Sequence, residues 1–132
     1  MPGEISTELG LLVWTVILCI AQMLVAAATT QLQVGLPALA GNRDNMPELT
    51  GLAGRATRAH RNMLENLALF AAVVLVAHAT GHLNSMTAVG AQLFFWARLA
   101  YAIIYLAGIP WLRTGTWAVS MVGLILIVLQ LV

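Results

Sequence analysis

The sequence predicts an all-α membrane protein, a bundle of four transmembrane helices in a single domain over residues 1–132. Three observations predict it. The 132 residues are 61% hydrophobic and 8% charged, too few polar groups to clothe a soluble domain of this length. Four apolar runs are each long enough to cross a hydrocarbon core of ~30 Å. Short Gly- and Pro-bearing breaks separate those runs.

The first helix is placed at about residues 9–32. Its flank MPGEISTEL carries two acids and no base, the wrong sign for a signal peptide, so it reads as an uncleaved span. The connection QVGLPALAGNRDNMPELTG holds two prolines and three glycines. Asn45 or Thr50 is placed to cap the second helix, with Pro47 in its first turn. That helix runs over about residues 48–80 and ends at TGHLNS. The third covers about residues 86–107 and stops at GIP. The fourth covers about residues 114–132, where Gly115, Ser120 and Gly123 suit close helix packing. Arg43, Arg55, Arg58 and Arg61 cluster at the first connection and the start of helix two, and Arg113 lies in the third connection. By the positive-inside rule these ends face the cytoplasm and both termini lie outside.

Several classes of function fall away. Lysine is absent, the formal net charge is +1, and no basic run is interleaved with aromatics, so nucleic acid is not a partner. Cys19 is the only cysteine, which leaves no paired thiols for a disulfide oxidoreductase or a cysteine metal site. His78 and His82 stand four apart, as helical metal ligands can, but the intervening TGH breaks the helix. Trp14, Trp96, Trp111 and Trp117 read as interface and packing residues.

The informative stretch is RATRAHRNMLEN, residues 55–66. On a wheel of 100° per residue, Arg55, Arg58, Asn62, Glu65 and Asn66 fall within an arc of about 100°. Arg98, Tyr101 and Tyr105 share one face of helix three. Counting from the outer helix ends, Glu65 lies at ~21 Å, Arg98 at ~18 Å, Tyr101 at ~23 Å, Asn62 at ~26 Å and Tyr105 at ~29 Å. Two polar faces thus share one depth in the cytoplasmic half of the membrane, where isolated charges cost several kcal/mol. A structural Glu65–Arg98 ion pair explains two of these residues, and the matched depth predicts their close approach. A cavity for a polar ligand explains all of them. Guanidinium forks suit carboxylates and Glu65 suits an amine, so the residues permit glutathione, with its two carboxylates, ammonium and thiol.

Arg58-Ala59-His60-x-Asn62-x-x-Glu65-Asn66 resembles the helix-two signature of the membrane-associated proteins in eicosanoid and glutathione metabolism (MAPEG). Ala97-Arg98-Leu99-x-Tyr101-x-x-x-Tyr105 resembles their helix-three signature. The likeness runs along nearly the whole chain and is greatest to the bacterial branch. It implies a homotrimer in the bacterial inner membrane that binds glutathione between subunits near the cytoplasmic face. Carried over by position, Arg55, Arg58, Asn62, Glu65, Asn66, Arg98, Tyr101 and Tyr105 would contact glutathione. The chemistry implied is that of a glutathione transferase or peroxidase acting on lipophilic electrophiles, with the thiol held as thiolate beside an arginine. Arg113 is the first candidate for that role, then Arg43, with Tyr101 a weaker hydrogen-bond donor. Where family members carry basic residues at the end of helix one, this chain reads ATTQLQVG. Gly54 stands where an acid is common.

Two other readings belong to different classes. A small four-span, proton-coupled exporter needs a membrane-embedded acid. Helix one has none beyond Glu8 at its edge, and an acid facing Arg98 would titrate poorly. A non-catalytic relative that binds lipid or serves as a scaffold needs no catalytic arginine at all.

Overall fold

The computed structural model describes residues 4–44 and 46–132. It is all-helical over those residues, with α1 (Thr7–Val34), α2 (Leu36–Ala40), α3 (Gly51–Ala79), α4 (Ser85–Ala107) and α5 (Pro110–Leu129). Four of them, α1, α3, α4 and α5, are long and apolar enough to cross a membrane, and the chain is an integral membrane protein.

Local chemistry sets the helix ends. The Ser6 hydroxyl accepts from the Leu9 N–H at 3.2 Å and opens α1. Gly35, at φ 86°, closes it, a conformation that costs a glycine little. Leu36 and Pro37 then begin the one-turn α2. Thr50 is the N-cap residue of α3 but makes no side-chain cap bond. Its hydroxyl and backbone N–H are engaged instead by the Gln33 amide, which ties the end of α1 to the start of α3. Pro47 lies ahead of α3 rather than in its first turn, and Asn45 is outside the described residues. Asn84 and Thr87 form a reciprocal capping box at α4. Gly108, left-handed at φ 79°, ends that helix. Then α5 starts at Pro110, inside the GIP segment, because proline suits the first helical turn.

Helix α4 packs most extensively on α5, and α1 on α3. The α4–α5 crossing is as close as two backbones allow. A Cβ on Gly90 would stand 2.5 Å from the Gly123 carbonyl oxygen, and one on Gly123 would stand 2.5 Å from that of Gly90. Gly115 meets nothing. The apolar core fills the half of the bundle nearer Asn84. Phe70 stacks on Phe94 with centroids 4.1 Å apart, among Val74, Ala91, Leu124 and Ile127. There the buried Glu8 carboxylate accepts from the Thr87 hydroxyl at 2.6 Å. Large apolar side chains such as Trp14, Leu24, Trp96, Ile103 and Val122 point outward, as a lipid-facing surface requires. The opposite half of the bundle, where α3 begins and α4 ends, carries the polar residues.

Candidate functional site

Two tyrosines on α4 organise that half. Tyr101 and Tyr105 are buried and meet edge to face with centroids 5.5 Å apart, and Ala59 of α3 packs against both. Their spacing on one helical face brings the rings together, and a small residue on α3 lets that helix approach.

Three arginines from three helices converge on the pair. The Arg98 guanidinium lies 4.1 Å from the Tyr101 ring centroid, and that of Arg113, from α5, lies 4.4 Å from the Tyr105 centroid. From α3, Arg58 donates through Nε to the Tyr105 hydroxyl at 3.2 Å. Gly54 makes room for this arm, since a Cβ there would stand 3.0 Å from Arg58 Nη1. Arg55 donates to the Leu106 carbonyl at 3.1 Å and ties α3 to the end of α4. The Asn66 amide donates to the Asn62 carbonyl at 2.8 Å and to Asn62 Oδ1 at 3.1 Å. A cavity of about 170 Å³ opens between α3, α4 and α5, lined by Asn62, Tyr101, Arg113, Thr114 and Trp117.

The electrostatics are unusual. Arg98 is 0% exposed, and none of its three side-chain nitrogens has a hydrogen-bond partner. The Tyr101 ring face attracts a cation. Arginine stays protonated, so neutralisation gives no relief. Among the described residues, Arg58 meets the Tyr105 phenol, and Arg98 and Arg113 each meet a tyrosine ring face.

A family model for the MAPEG family matches residues 11–132. The chain belongs to the MAPEG family. The match takes in every residue of the arginine–tyrosine cluster, so this MAPEG protein carries that cluster wholly within the family's own extent. Membership supports a membrane-bound, glutathione-related function in general. No curated protein and no solved structure matches the chain significantly.

In this MAPEG chain the predicted site residues divide. Asn62, Tyr101 and Arg113 meet around one cavity, with Arg58, Tyr105 and Arg98 packed on its tyrosines. Glu65 does not join them. It is exposed while Arg98 is fully buried and unpartnered, so the direct Glu65–Arg98 pair that their common depth predicted is absent within a single chain. Equal depth does not guarantee facing sides of two helices. Arg43 is also apart. At φ 65°, on the connection between α2 and α3, it donates to the Leu39 carbonyl at 2.9 Å. Thr114 also lines the cavity, as does Trp117, which the sequence placed among the interface and packing residues. Their one sequence signal is helical spacing, since Trp117 stands one turn beyond Arg113. Among the described residues no three His, Cys, Asp or Glu gather as metal ligands.

Proposed function

We propose that this MAPEG protein binds glutathione at the arginine–tyrosine cluster and delivers its thiol to lipophilic electrophiles, as a transferase or peroxidase. One observation carries the reading: three guanidinium groups converge on two phenols with a buried, unpartnered Arg98 among them. A dianionic tripeptide answers that excess of donors better than a neutral lipid would. In this reading Arg58 and Arg98 hold carboxylates, Asn62 and Asn66 orient the backbone amides, and Glu65 takes the ammonium. Arg113 lines the cavity beside Tyr101, so it is the arginine placed to stabilise a thiolate, and the Tyr101 phenol is placed to donate one hydrogen bond. Arg43, held by Leu39, ranks behind both. Bound there, glutathione supplies the nucleophilic sulfur, and a site in the membrane lets that soluble thiol meet a lipid-dissolved partner.

The exposed Arg58, Arg61 and Glu65 sit on a membrane-spanning helix. Covering them calls for further copies of the chain, and the family resemblance supports three. By the positive-inside rule the site lies near the cytoplasmic face with both termini outside, and the resemblance to the bacterial branch supports a bacterial inner membrane.

Calorimetric titration of detergent-purified protein with glutathione tests binding. Thiolate absorbance at saturating glutathione tests activation. Arg113→Ala should leave binding nearly intact and raise the pKa of the bound thiol toward its free value. Tyr101→Phe should have a smaller effect in the same direction, and Arg43→Ala should match wild type. Absence of heat with wild type would sink the proposal and favour an exporter or a scaffold.

A further inference from the structure

A second cavity, sharing no residue with the first, lies on the other side of α4. It encloses about 170 Å³ between α1, α3 and α4, walled by Leu18, Ala56, Ala59, Leu99 and Ala102 and by Gln22. Rim residues Ala21, Val25 and Ile103 are exposed, so the cavity opens at the surface of the single-chain bundle. Its lining is otherwise apolar. A cavity of this size in such surroundings accommodates a benzene-sized body.

Gln22 is the exception. It is 8% exposed, stands near the middle of a membrane-spanning helix, and its amide oxygen is buried without a hydrogen-bond partner. An orphaned carbonyl oxygen in an apolar setting costs on the order of 1–3 kcal/mol. Rotation of the terminal amide exchanges its oxygen and nitrogen, so Gln22 can offer an acceptor or a donor to the cavity. A hydroxyl matches both, because it donates and accepts.

We propose that this cavity binds a small lipid-soluble hydroxyl compound, its apolar body between α1, α3 and α4 and its hydroxyl on the Gln22 amide. The site does not rest on the glutathione reading. Ala59 separates the two regions, packing on Tyr101 and Tyr105 and also lining this cavity.

The test uses the full-length protein in lipid nanodiscs and follows 4-fluorophenol and 4-fluorotoluene by fluorine NMR, with empty nanodiscs correcting for partition into lipid. Both probes should bind saturably, with 4-fluorophenol tighter by about fivefold, the worth of one hydrogen bond. Gln22→Leu should bring the two probes level. Ala21→Leu, a change at the exposed rim, should weaken both severalfold by filling the mouth, with a thermal melt matching wild type. Glutathione titration of Gln22→Leu should match wild type. An acyl chain of the bilayer or a side chain of a second copy filling the cavity would leave neither probe with saturable binding, and that overturns the proposal. So does equal binding of the two probes by wild type, a preference that survives Gln22→Leu, or unchanged binding in Ala21→Leu. Loss of glutathione binding together with that of the phenol would mean one site and overturn a separate pocket.

Discussion

Arg98 carries its charge fully buried, with no hydrogen-bond partner for its side-chain nitrogens among the described residues. Ring contact with Tyr101 is worth about 0.5–2 kcal/mol and leaves the N–H groups unanswered. Replacing such a charge with an apolar side chain of similar length removes a penalty rather than a bond. Arg98→Met should therefore hold or raise the melting temperature of the ligand-free protein, while glutathione affinity falls by roughly tenfold or more, the worth of a charged hydrogen bond. A drop in melting temperature would reveal a partner inside the fold and count against a ligand-binding role. Glu65 behaves differently because its side chain faces outward. Glu65→Gln should change the ligand-free stability of a single chain by less than about 0.5 kcal/mol, as at other surface positions. Its effect should appear in glutathione titration. Thermal melts with and without glutathione separate the two.

At the scale of elements, α4 and α5 meet backbone to backbone at Gly90 and Gly123. Gly90→Ala would drive a Cβ to 2.5 Å from a carbonyl oxygen, and the neighbour is backbone that cannot swing aside. The helices must part, at a cost of about 1–3 kcal/mol. Gly115 lies on the same helix as Gly123 with nothing within 4 Å, so Gly115→Ala should be neutral or stabilising by about 0.5–1 kcal/mol through helix propensity. Denaturation of the pair in detergent checks this contrast, and equal effects would contradict the crossing. Gly54 works at the start of α3. A Cβ there would stand 2.9 Å from the Leu49 carbonyl and 3.0 Å from Arg58 Nη1. Gly54→Ala should displace Arg58 from Tyr105 and weaken glutathione several-fold more than it lowers the melting temperature. Glutathione titration beside a melt reads both.

Across the whole molecule, the polar face of α3 is incompletely covered. Arg58, Arg61 and Glu65 are exposed on a helix that crosses the membrane, where lipid contact is expensive. Native mass spectrometry in mild detergent should show a trimer with little monomer, and only monomer or dimer would refute it. Charge-reversed Glu65→Arg should lower the trimer fraction if this face is the interface.

Hydropathy and length alone determined the four spans, because crossing a bilayer demands about twenty apolar residues in a row and lets no other structure serve. Helical periodicity also placed Arg58, Asn62 and Glu65 on one stripe, and Arg98, Tyr101 and Tyr105 on another. Tertiary structure decided which of those side chains meet. A periodic pattern assigns a residue to a face of its own helix but says nothing of how that helix is rotated against its neighbours. The rotation follows from packing, such as the Gly90–Gly123 contact and the fit of Ala59 against two rings. It turns Arg98 inward and Glu65 outward at one depth, swings Arg113 of α5 over Tyr105, and brings Thr114 and Trp117 to the cavity. It also leaves Gln22, unremarkable in an apolar run, as a lone amide on the wall of an apolar pocket.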